Sequence, residues 1–261
     1  MRNPLAIRVG YLNKTLSGNF NWFCNTFVKC GGTKDTITLG DIGVDTDVWS
    51  DSNIAFLNDT GAVKKFYHEG LGKTVFETYV YWPKASKTEA GVAGWYILDD
   101  EDAEYPMNDK VIPLGQSYCI TCNGGEEGCT ITFNGQVYDD TVSYGLTSNF
   151  NWFGNCAPAN IKLGDITVDT DVWSDSNIAF LNDTGAVKKF YHEGLGKTVF
   201  ETYVYWPKAS KTEAGVAGWY ILDDEDAEYP MNDKVIDAAD SFCVTCNGGE
   251  EGCTFTLPSA L

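Results

Sequence analysis

Val75-Phe-Glu-Thr-Tyr-Val-Tyr-Trp82-Pro83 returns letter for letter as Val199-Phe-Glu-Thr-Tyr-Val-Tyr-Trp206-Pro207. β-Branched and aromatic residues fill the stretch, no helical stripe runs through it, and a proline stops it, so it reads as a strand. Alternation places Phe76, Thr78, Val80 and Trp82 on one face and Glu77, Tyr79 and Tyr81 on the other. The copy belongs to a larger one: residues 47–112 recur without a difference as residues 171–236, a constant 124 positions on. That is the mark of a duplicated module.

Working outward, the same kind of signal continues. Residues 52–59 (SNIAFLND) and 62–69 (AVKKFYHE) flank Thr60-Gly61 and read as a hairpin. Residues 94–98 (GWYIL) lead into an acidic stretch, and residues 117–122 (SYCITC) and 129–133 (CTITF) flank a second turn, NGGEEG. Short strands punctuated by Gly-rich turns predict an all-β protein. The expected fold is two tandem β-sandwich-like modules, residues 1–133 and 134–261. The intervening residues 134–148 look strand-like, as do residues 6–17, so the modules are expected to abut. Divergence is confined to the ends of the copies. Residues 19–25 read NFNWFCN where residues 149–155 read NFNWFGN, and Trp22 stands 130 positions before Trp152, which gives the first module six extra residues.

The chain has 261 residues, 37 acidic against 18 basic, for a net charge of −19, while 43% of its residues are apolar. That apolar content excludes a disordered chain. The acidity excludes nucleic acid, whose phosphates require Lys and Arg, and no apolar run is long enough for membrane insertion. Residues 1–8 lack the apolar stretch of a signal peptide. Nine cysteines nevertheless point to an extracellular or cell-surface location, with the chain a mature or shortened piece.

Each module carries Cys-x-x-Cys-x6-Cys. Cys122 and Cys129 end the two arms of one hairpin, as do Cys246 and Cys253, and are expected to form disulfides. Cys119 and Cys243 face away from the core, which leaves Cys156 for Cys243 and, by position, Cys30 for Cys119. Cys24 is then odd, because Gly154 takes its place in the second module. Two zinc sites built from the same thiolates are the competing reading.

Little else carries chemistry. His68 and His192 are one duplicated position, read as structural. Gly70-Leu-Gly-Lys-Thr74 lacks the upstream glycine and following helix of a phosphate loop. Asp99, Asp100 and Asp102, with Asp223, Asp224 and Asp226, could supply oxygens to Ca²⁺, and no other cofactor is expected. Tyr79, Tyr81 and Trp95, repeated at Tyr203, Tyr205 and Trp219, could form a platform on which sugar rings stack; burial in the core is the competing reading.

The stretch Asn149-Phe-Asn-Trp-Phe-Gly-Asn155, followed by Leu163-Gly-Asp-Ile166, and Ile112-Pro-Leu-Gly-Gln-Ser-Tyr-Cys119 resemble a repeat module of large bacterial secreted proteins. Such modules read Trp-Asn-x-x-Gly-Asn-Pro near their start and Pro-x-Gly-x-x-Phe near their end. Cys156 stands where Pro is usual, Cys24 replaces the Gly, and the second module ends Asp237-Ala-Ala-Asp240. The resemblance implies an extracellular β-sandwich with adhesive or array-building roles and no catalytic residues. The expectation is therefore a non-enzymatic extracellular structural or adhesive protein, associating with itself or with other surface proteins into a fibre or array. A bivalent carbohydrate-binding protein, with glycan as partner, is the alternative.

Overall fold

A computed structural model describes residues 8–16, 20–45, 52–83, 88–122, 128–147, 149–169, 176–207, 212–246 and 253–259. Among these residues the chain is all-β, with 3-10 turns such as Leu39–Asp41 and Leu163–Asp165. None of their helices is long and apolar enough to cross a membrane.

The first repeat contributes a five-stranded antiparallel sheet in the order β2 (Phe20–Cys24), β10 (Ser117–Thr121), β5 (Asn53–Ala55), β8 (Thr78–Trp82), β9 (Gly94–Ile97). In its second sheet, β11 (Thr130–Val137) lies between β1 (Val9–Thr15) on one side and β3 (Phe27–Val28) and β4 (Gly43–Val44) on the other. A separate hairpin pairs β6 (Lys65–His68) with β7 (Lys73–Phe76). The second repeat follows suit with β13 (Asn149–Gly154), β22 (Ser241–Cys246), β16 (Asn177–Ala179), β19 (Thr202–Trp206), β20 (Gly218–Ile221) in its large sheet. Its smaller pieces are β12 (Val142–Gly145), β23 (Thr254–Leu257) and β15 (Thr167–Val168), the pair β14 (Ile161–Lys162) and β21 (Val235–Ile236), and the hairpin β17 (Lys189–His192)–β18 (Lys197–Phe200).

The two sheets of the first repeat share one core, in which Ile54, Tyr79 and Ile120 meet Leu12, Ile131 and Phe133. Taken together, the four larger sheets are set like the blades of a four-bladed propeller rather than as two plainly separate sandwiches. The boundary expected after Phe133 falls inside a strand. β11 continues to Val137, where it pairs with β3, a strand built from the extra residues of the first repeat.

The hairpin over residues 52–69 closes as its Thr-Gly turn demands. Leu57 bridges Val63, and Gly61 supplies φ +79°, a left-handed conformation that glycine adopts without penalty. Beyond Lys64 the returning arm leaves β5 and pairs instead with β7. The Asn that follows each Asn-Phe-Asn-Trp-Phe stretch is fully buried and ties the start of its repeat to the end. Asn25 Nδ2 donates to Ile112 O (2.9 Å), and Asn155 Nδ2 to Ile236 O (3.3 Å) and Asp237 O (3.0 Å).

Candidate functional site at the joint between the repeats

Alternation along the central strands sends one set of side chains to the core and the other outward. On β10, Tyr118 and Ile120 enter the core while Cys119 and Thr121 face out; on β2, Phe20 and Trp22 face out. In most sheets that outer face would meet water. Here it meets the matching face of the second repeat.

The contact is reciprocal. Trp22 Nε1 donates to Asn182 O and Trp152 Nε1 to Asn58 O, each at 2.9 Å. Phe20 N donates to Asp183 O and Phe150 N to Asp59 O, each at 3.0 Å. Phe23 bridges Asp240 as Phe153 bridges Gln116, and Ser117 Oγ touches Ser241 Oγ. Each of these contacts has its counterpart with the repeats exchanged, which defines a pseudo-two-fold axis. The two indoles stack near it, with ring centres 5.4 Å apart and planes inclined by 13°. The turns that accept the indole N–H groups are the Asn-Asp-Thr-Gly turns, closed by their own Asn58 and Asn182 side chains, which accept from Thr60 N and Thr184 N (2.9 Å each).

Between the repeats lies a cleft of about 570 Å³. Its aromatic walls are Phe20, Trp22, Phe150 and Trp152. Ala55 and Leu57 line it from β5 and the turn that follows, and Cys119 and Thr121 from β10, each repeated 124 positions on. Among the described residues no charged side chain contributes to the lining.

Cys24 and Gly154 occupy equivalent places and lie against each other. A Cβ on Gly154 would come within 2.6 Å of both Cys24 Sγ and Asp240 O, so the two copies of this position cannot both carry a side chain without movement. The Cys24 thiol donates to Asn155 O (3.2 Å). Burial raises its pKa well above the ordinary thiol value, and the neighbouring Cys156 adds to the effect.

The cysteines do not pair as the spacing suggested. Cys122 and Cys129 bring their sulfurs to 2.9 Å, and Cys246 and Cys253 to 2.7 Å, next to one another but beyond the roughly 2.05 Å of a bond. Ser52 Oγ and Ser176 Oγ hydrogen-bond to Cys129 Sγ and Cys253 Sγ. The remaining expected pairs, Cys30–Cys119 and Cys156–Cys243, are separated by the architecture. Cys119 and Cys243 line the cleft, Cys30 is exposed beside β1, and Cys156 is buried with Tyr144. Burial pushes the Cys119 and Cys243 thiols up to about 12 each. Iodoacetamide at pH 8 should therefore modify Cys30 first. Cys119 and Cys243 should react about a thousandfold more slowly than an ordinary exposed thiol, from their thiolate fraction alone. Peptide mass spectrometry over a time course reads this directly, and equal rates would contradict the burial described.

Asp240, in the Phe23 bridge, has its carboxyl pKa raised by burial, an effect Lys188 and Lys14 partly offset. A raised acid pKa means that the folded chain holds the proton more tightly than the unfolded one. Its contribution to stability is therefore greatest at low pH and declines as pH climbs from about 4 through the raised value. The difference in urea midpoint between wild type and Asp240→Asn should grow with pH over that window, in favour of the variant.

The expected sugar platform lies elsewhere than on the surface. Tyr79, Trp95, Tyr203 and Trp219 are fully buried. Tyr81 and Tyr205 pack edge-on against those tryptophans, with ring centres 5.4 Å apart at 70°. The face shared by Glu77, Tyr79 and Tyr81 is the inner one. Glu77 is tolerated there because Lys110 Nζ pairs with it and the Tyr79 hydroxyl donates to it at 3.3 Å. Aromatics that do reach solvent include Tyr67 and Phe76 on the β6–β7 hairpin, with Tyr191 and Phe200 in the copy.

Asp100 and Asp224 turn inward and accept from Tyr105 N (2.8 Å) and Tyr229 N (2.9 Å), fastening their own loops. Asp99, Asp102, Asp223 and Asp226 are not brought together with them. Among the described residues no three acidic, His or Cys side chains converge as a metal-binding group. His68 is buried and accepts from Leu71 N (3.2 Å), with Tyr105 edge-on to its ring, as a structural histidine would be.

Comparison with protein-family models, with characterised proteins and with solved structures returned no match.

Proposed function

We propose that this chain is a non-enzymatic structural or adhesive unit of an extracellular assembly, akin to the repeat modules of large bacterial secreted proteins. In this reading each repeat is a sandwich-like module. Cys122–Cys129 and Cys246–Cys253 close to disulfides under oxidising conditions, tying the two sheets of each repeat together. The observation that carries the reading is the edge at β1, which among the described residues is paired on one side only. This strand is the outer member of its sheet, and Val9 and Tyr11 stand 72% and 74% exposed along it. An exposed edge with apolar side chains is a template for pairing with another strand. The partner is a second copy or another surface protein.

Sedimentation and negative-stain microscopy over a concentration series test this. The wild type should form higher species that Val9→Lys with Tyr11→Lys abolishes, because charge on an edge blocks strand addition. A wild type that stays monodisperse throughout would overturn the proposal. The bivalent glycan-binding alternative rests now on the exposed pairs Tyr67/Phe76 and Tyr191/Phe200. A glycan array comparing wild type with Tyr67→Ala/Tyr191→Ala separates it from the structural reading.

A further inference from the structure

We propose that the cleft on the pseudo-dyad is a binding site for one neutral, apolar, ring-bearing small molecule per chain. The inference is independent of the assembly reading and rests on four features of the cleft.

Size comes first. At about 570 Å³ the space falls within the range of small-molecule sites. Second, the walls are aromatic in a particular way. The indole N–H groups of Trp22 and Trp152 are already given to Asn182 O and Asn58 O, so the indoles offer the cleft ring surface rather than donors. Third, among the described residues the lining has no charge to pair with an ion, and the molecule around it carries a net −19. An anion would be repelled on approach, and a cation would lose its hydration without a carboxylate in the lining to replace it. The polar groups present are the Thr121 and Thr245 hydroxyls, enough to orient a neutral ligand; the thiols of Cys119 and Cys243 add soft, polarisable surface. Fourth, the walls are held in place by the reciprocal hydrogen bonds of the joint, so little ordering is left to be done on binding.

Symmetry fixes the stoichiometry. Any site lying wholly within the repeated block exists twice per chain. The cleft takes half its wall from each repeat and exists once.

N-Phenyl-1-naphthylamine, a neutral two-ring probe whose emission rises in apolar surroundings, tests the proposal in the intact protein. Fluorescence titration should saturate at one probe per chain. Ala55→Phe with Ala179→Phe, which fills the cleft from both sides, should weaken binding about tenfold or more. Two equivalents per chain, a non-saturating signal, or unchanged binding in the filled variant would overturn it. Should the filled variant fail to fold, Phe20→Ala with Phe150→Ala decides, since these rings sit at the half-open rim, 38% and 41% exposed. Several-fold weaker binding by a variant with wild-type circular dichroism supports the site, and unchanged binding excludes it.

Discussion

Trp22→Ala should destabilise the folded chain by about 3 kcal/mol, and Trp152→Ala by a similar amount, while the double variant costs clearly less than the sum. Each indole is half-buried, which sets the expectation at the lower end for tryptophan truncation. Removing either ring deletes its face of the 5.4 Å stack and leaves the other indole only its neighbouring Phe. It also strips an N–H from the carbonyl of Asn182 or Asn58 in the opposite repeat. Because the stack is a single shared interaction, the second removal finds it already gone. Urea unfolding of the four proteins in the cycle measures the coupling. The double variant should also lose the single sharp transition, since the repeats no longer unfold as one unit. Strict additivity would show that the two rings do not depend on each other.

Gly154→Cys should cost about 2–3 kcal/mol, although it merely restores to the second repeat the residue found in the first. The new Cβ would lie 2.6 Å from Asp240 O and from Cys24 Sγ, and neither a backbone carbonyl nor a packed thiol can step aside cheaply. Adding Cys24→Gly to Gly154→Cys should recover part of the loss, because the conflict with sulfur disappears while that with Asp240 O remains. Thermal or urea melts of the wild type and the two variants provide the test. If Cys24→Gly gives no recovery, the two positions do not compete for one space.

Much of this arrangement was legible in the sequence, and the part that was not follows from a single cause. The all-β class came from strands such as residues 75–82, and alternation correctly set Tyr118 and Ile120 inward and Cys119 outward. Cys122 and Cys129 do come close, but across the two sheets and not on one hairpin as expected, since β10 pairs with β2 and β5 while β11 pairs with β1, β3 and β4. The inward face of β8 was also divided correctly into Glu77, Tyr79 and Tyr81. Periodicity, however, says which side chains share a face and never which face is covered. Tyr79 and Trp95 were open to a surface reading until Leu12, Ile131 and Phe133 of the second sheet were seen to close over that core. The cleft was hidden for the same reason, since its two halves lie in different repeats. Its signals were present: an outward-facing Cys119, and an exchange of Cys24 for Gly154 in otherwise matched stretches. The expected boundary after Phe133 lies within β11, which runs on to Val137 to meet β3 in the longer segment of the first repeat.

The dyad at the joint has a consequence for counting. A two-fold contact satisfies itself: the face that each repeat offers is the face that its neighbour covers, and nothing of it is left for a third. A longer chain of such repeats would therefore be stable in even numbers, with an odd one left showing Trp, Phe and Cys side chains to water. Length in such a family would grow by doublets.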